Sequence, residues 1–97
     1  MRPSLSLVTH SQQVRAVLAR AGLQNPRVFG SVARGQDVET SDLDLLVEAP
    51  GGTTFFDLAR IENELSAIMN CRVELRTAAS LAPDVAKRAA VDVMPLP

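Results

Sequence analysis

The sequence has no tryptophan and no tyrosine, and only three phenylalanines among its 97 residues. Its core must therefore be aliphatic, drawn from Leu, Val, Ile and Ala. A single cysteine, Cys71, excludes an internal disulfide framework and any zinc site built from several thiolates. No run approaches the roughly 18–20 apolar residues of a membrane helix. The LSLV near the start is too short, and too quickly followed by polar residues, for a signal peptide. Neither sign of charge is in excess: ten Lys and Arg face eleven Asp and Glu, for a net charge of −1. That balance argues against a domain whose main work is gripping polynucleotide phosphates, though not against one that binds a single nucleotide. What these absences leave is one cytoplasmic domain over residues 1–97. Its 46% hydrophobic and 22% charged content suits a soluble globular fold.

What is present is an alternation of helical and extended patterns. In residues 10–21, Val14, Val17, Leu18 and Ala21 form one helical stripe, with Ser11 as N-cap and Gly22 as a stop. Leu23 to Pro26 reads as a turn, RVFG (27–30) as a short strand and SVARG (31–35) as one helical turn. QDVET follows as a polar loop. LDLLVEA (43–49) is the clearest strand, closed by Pro50-Gly51-Gly52. Beyond a Thr cap, Phe55, Leu58, Ile61, Leu65, Ile68 and Met69 keep helical spacing and are assigned to the core. CRVELRT (71–77) alternates like a half-covered strand, and Pro83 and Asp84 suit the first turn of a helix reaching about Val91. The order predicts an α+β fold, a small mixed β-sheet with helices packed against it.

The chemistry concentrates at the mouth of strand 43–49. Residues two apart on a strand share a face, so Asp42 and Asp44 point together while Leu43, Leu45 and Val47 face the core. Two neighbouring carboxylates repel each other unless they are solvated or neutralised. Mg²⁺ answers that need, since it takes one or two protein carboxylates, waters and substrate phosphates. If 71–77 lies beside 43–49, Glu74 joins the pair. Three carboxylates could then hold the two metals, about 3.5–4 Å apart, of a phosphoryl-transfer site. The third could also take a proton from an attacking hydroxyl. Gly30 lets backbone approach a ligand closely, Ser31 opens a helical turn with free N–H groups and a hydroxyl, and Arg34 adds charge one turn on.

Blander readings exist for each residue. An isolated Asp-x-Asp is a cap beside a solvated edge residue, and Glu74 between Arg72 and Arg76 is a rung of a surface charge ladder. Arg34 can be simply solvated, His10 a capping or solvated residue, and Cys71 an inert buried thiol. A calcium loop starting at Asp37 would place Asp37, Glu39, Ser41 and Glu48 at ligand positions. It fails because Asp42 stands where glycine is required and Asp44 where an apolar residue is required.

GS, a spacer containing Gly35, then SDLDLLV resembles the nucleotidyltransferase motif of DNA polymerase beta-type enzymes. In this compressed form it is similar to the minimal nucleotidyltransferase (MNT) family. Helix 55–69, the strand VEL and the tail AVDVMPLP also sit where that family has equivalents. The resemblance implies the nucleotidyltransferase fold, with Gly30, Ser31, Arg34 and Ser41 on the nucleotide. It implies that Asp42, Asp44 and Glu74 are the catalytic and metal-binding residues, holding two Mg²⁺ ions; Glu74 falls where the family usually has aspartate. It further implies ATP as substrate and a place as antitoxin in a type VII-like pair with a HEPN-domain toxin, whose tyrosine hydroxyl would receive AMP. Two alternatives stand beside this: an antitoxin that only occludes the toxin over a vestigial nucleotide site, and transfer to a small molecule such as an antibiotic.

Overall fold

A computed structural model describes residues 1–77 and 93–97 of the chain. Helix α1 (Pro3–Arg20) begins well before residue 10, so Ser11 lies within the helix and is not its cap. Proline is tolerated in a first turn, where its missing N–H would have no intrahelical partner. Buried Ser6 and Leu7 extend the packed face back to that turn. Arg2 offers no side-chain cap; instead the carboxylate of Asp37, far along the chain, accepts the Ser4 N–H at 2.9 Å.

Strand β1 (Gln24–Phe29) also starts early, taking in most of the predicted turn. Asn25 adopts a left-handed conformation and the register slips between Gln24 and Arg27, which accommodates Pro26 within the strand. Strand β2 (Leu43–Glu48), helix α2 (Phe55–Met69) and strand β3 (Val73–Thr77) match the expected elements closely. Thr54 and Asp57 close α2 with a reciprocal capping box, and Asn70 ends it in the left-handed region. A two-residue strand, β4 (Met94–Pro95), was not expected from the sequence. The predicted helix from Pro83 to Val91 lies outside the described residues.

The sheet order is β3-β2-β1-β4, with β2 and β3 parallel and the other pairs antiparallel. Its apolar face carries Val28, Leu43, Leu45, Val47, Val73 and Leu75, which join Leu7, Val14, Leu18, Leu65 and Met69 in one core. The expected α2 stripe is only partly covered. Leu65 and Met69 are buried, but Phe55 is 89% exposed and is not a core residue. Spacing identifies the apolar face of a helix, not how far along it the core reaches; here Leu58, Ile61 and Ile68 pack partly buried against the core, and Phe55 at the start of the helix lies beyond it. Among the described residues no helix is long and apolar enough to cross a membrane.

Candidate functional site

The face of the sheet opposite this core carries the candidate site. Parallel pairing sets Asp44 of β2 directly opposite Glu74 of β3, as the shared-face reading required. Antiparallel pairing sets Phe29 of β1 opposite Asp44 on its other side. Asp42 precedes β2, whose first residue is tied to β3 by the Leu43 N–H donating to the Arg72 carbonyl at 2.8 Å. Asp42 therefore stands at the strand mouth, beside Asp44 and Cys71.

Electrostatics confirm the crowding. The pKa of Asp44 is pushed up to about 6, first by burial, then by the charge of Glu74 and a hydrogen bond with it, then by Asp42; Arg76 works in the opposite sense. Two carboxyl groups held this close favour either a proton or a cation between them. Glu74 is partly compensated: Arg72 and Arg76 each approach it to 3.2 Å. Burial followed by the charge of Asp42 also raises the Cys71 thiol above its usual range.

Gly30 closes the site from the β1 side. Its φ is +77°, and a β-carbon there would lie 2.6 Å from Oδ2 of Asp44. Glycine is thus required twice, by backbone conformation and by the nearness of the carboxylate. The predicted helical turn follows, with the Arg34 N–H donating to the Gly30 carbonyl at 3.2 Å and the Gln36 N–H to that of Ser31 at 2.9 Å. Buried Val32 pins this turn to the core. The first amides of the turn, from Ser31 on, have no preceding helical carbonyl to bond, which suits them to an anion.

Gly30, Asp44 and Glu74 are brought together, with Asp42 and Ser31 at the margins. Arg34 is exposed, and its Nε donates to Oε1 of Gln36 at 3.1 Å. The Ser41 hydroxyl accepts the Val38 N–H at 2.9 Å, which shapes the approach to Asp42. Phe29 was missed in the sequence. Its signal was the period of two along RVFG, which puts it on the face opposite Val28 and next to Gly30.

Among the described residues, no three His, Cys, Asp or Glu side chains gather into a ready-made metal cage. The residues nevertheless fit Mg²⁺ in its usual open form, in which one or two carboxylates are completed by waters and substrate phosphates. Asp42 and Asp44 supply hard oxygen donors, their negative charge exceeds local compensation, and Gly30 leaves backbone close by.

Residues 11–96 match the family model described as a nucleotidyltransferase domain. A Methanocaldococcus jannaschii protein assigned as a protein adenylyltransferase is 35% identical over 86 residues, covering 86% of this chain and 92% of that protein. Protein adenylyltransferase MntA of Thermococcus cleftensis is 33% identical over 81 residues, covering 84% of this chain and 79% of its own length. A solved structure described as a minimal nucleotidyltransferase superposes with a TM-score of 0.78 at 40% identity, covering 93% of this chain and 95% of that one. A toxin–antitoxin structure with AMP-PNP superposes with a TM-score of 0.79 over 88% of this chain and 70% of that one; at 20% identity this is a likeness of fold.

Proposed function

The chain belongs to the nucleotidyltransferase family, and from that premise we propose that it is a cytoplasmic antitoxin that transfers AMP from ATP, with Mg²⁺, to a tyrosine hydroxyl of a HEPN-domain toxin. The observation that carries the reading is the rung Phe29–Asp44–Glu74 closed by Gly30, a carboxylate pair held against a turn suited to phosphate. The names of the relatives support it, since they are protein adenylyltransferases and one solved structure is a toxin–antitoxin complex with AMP-PNP.

In this reading Asp42 and Asp44 hold Mg²⁺, with Glu74 beside them. When bound, the ion neutralises charge on the triphosphate. Gly30 and Ser31 seat the β- and γ-phosphates, while Arg34 and Ser41 border the nucleotide. The acceptor oxygen forms a bond to the α-phosphorus as the bond from that phosphorus to the bridging oxygen breaks, and pyrophosphate departs with the electron pair. The acceptor proton passes to the Glu74 carboxylate, which Arg72 and Arg76 hold in place. Because β2 and β3 are fixed by the core behind them, these groups need little rearrangement to meet the substrate.

The test is intact-mass spectrometry of the toxin encoded beside this chain. Co-expression with the native protein should add one or more AMP units to the toxin, and co-expression with an Asp42→Ala/Asp44→Ala variant should add none. An unchanged toxin mass in both would refute transfer. One observation favours neutralisation by occlusion instead: Glu74, one methylene longer, stands where the family usually has aspartate. Under that reading the double variant still binds the toxin and still protects cells.

A further inference from the structure

The carboxylate of Asp37 lies off the catalytic rung, yet it is one of the two buried polar side chains among the described residues, at 4% exposure. It accepts the Ser4 N–H at 2.9 Å, across 33 residues of sequence. Ser4 lies in the first turn of α1, where backbone N–H groups have no helical partner and the helix dipole favours a negative charge. Burial alone would raise its pKa, but bonds from the Ser4 amide and hydroxyl and from its own amide, together with Arg2, outweigh that and hold it low. The carboxylate stays ionised.

Asp37 also begins the only stretch between the phosphate-seating turn and Asp42. That stretch, residues 37–42, has no regular secondary structure. It is held at four points. Asp37 is tied to α1. Val38 and Ser41 bond reciprocally, the Val38 N–H to the Ser41 hydroxyl at 2.9 Å and the Ser41 N–H to the Val38 carbonyl at 3.0 Å. Leu43 is tied to Arg72 of β3 at 2.8 Å. Glu39 pairs with the Met1 ammonium at 2.8 Å, but both groups are exposed and solvent screens the pair; the buried Asp37 bond is the firmer link between the segment and the helical layer. Without it, the entry to the loop keeps only the exposed Glu39 pair as a tie toward α1.

We infer that Asp37 is a positioning residue for the metal site, an internal clamp by which the N-terminus of α1 sets where Asp42 stands. This rests on Asp42 and Asp44 being the metal carboxylates. Asp37 touches no substrate in this scheme; it acts through the loop. A displacement of about 1 Å at a reacting group can lower a rate by about a hundredfold, so a clamp distant from the chemistry has a measurable effect on it.

The experiment measures binding of Mn²⁺–AMP-PNP by calorimetry, together with thermal stability, for the native chain and five variants. Asp37→Ala is expected to weaken binding about tenfold or more, while Asp37→Asn, which keeps an acceptor for the Ser4 N–H, stays within about threefold of native. Thr54→Ala removes the helix cap of α2, away from the site, so it should lose thermal stability without losing affinity. Asp37→Ser is the milder variant should the alanine form not fold, and it too is expected to bind more weakly than Asp37→Asn. Affinity in Asp37→Ala equal to native, or affinity in Thr54→Ala that falls in step with its melting temperature, would overturn the clamp. Native protein that binds Mn²⁺–AMP-PNP no better than an Asp44→Ala variant would instead overturn the metal-site reading, and the clamp with it.

Discussion

Replacing Asp44 by asparagine is expected to abolish transfer and, in protein stripped of divalent cation, to raise stability at pH 8. The reason lies in the rung it shares with Glu74. Burial, Glu74 and Asp42 push the Asp44 pKa up to about 6, whereas an unfolded chain releases that proton near the ordinary aspartate value of about 3.9. Between these two values the folded state binds more protons than the unfolded one, so the contribution of Asp44 to stability is full below about pH 4 and is lost as pH rises through about 6. At 1.36 kcal/mol per pH unit the loss is bounded at about 3 kcal/mol, and solvent screening of a half-buried carboxylate reduces it to about 1–2 kcal/mol. An amide carries no charge to bury, and its N–H group can donate to the Glu74 carboxylate. The assay is urea unfolding of both proteins without metal from pH 4 to 8. The variant should gain about 1–2 kcal/mol at pH 8, which for a chain of this size is several degrees in melting temperature, and the gain should shrink toward pH 4. A variant less stable than native at pH 8, or one whose advantage is the same at both ends, would refute the reasoning.

Gly30→Ala meets both the positive φ and the 2.6 Å approach to Asp44. It should cost about 1–2 kcal/mol in chemical denaturation through backbone strain alone and lower transfer more than any other glycine substitution in the chain, read as AMP incorporated per minute. Leu65→Ala, at a fully buried position between α2 and the sheet, should cost about 2–5 kcal/mol. Phe55→Ala, at 89% exposure, should change stability by less than about 0.5 kcal/mol despite removing an aromatic ring; the same unfolding titrations check both.

The contiguous part of the site was legible in the sequence because its parts are local. Gly30, Ser31, Asp42 and Asp44 lie within one turn and one strand mouth, where alternation and glycine placement have direct geometric meaning. Glu74 was legible only conditionally: its facing Asp44 depends on β2 and β3 pairing in parallel with this register, which no local pattern states. Phe29 was hidden by the shortness of its strand. The start of α1 was misplaced because its cap is supplied by Asp37 from across the fold, and a sequence read locally finds caps only in neighbouring residues. Phe55 was assigned to the core because periodicity describes direction around a helix, whereas coverage along its length depends on where the sheet ends.

The central claim, that this site transfers a nucleotidyl group, is tested most directly by incubating the purified chain and the proposed toxin partner with ATP labelled either at the α- or at the γ-phosphate. Transfer at Asp42 and Asp44 predicts label on the toxin from the α-phosphate only, released pyrophosphate, and loss of both without Mg²⁺ or in Asp44→Asn. Toxin labelled from the γ-phosphate, or α-label that persists in Asp44→Asn, would contradict it.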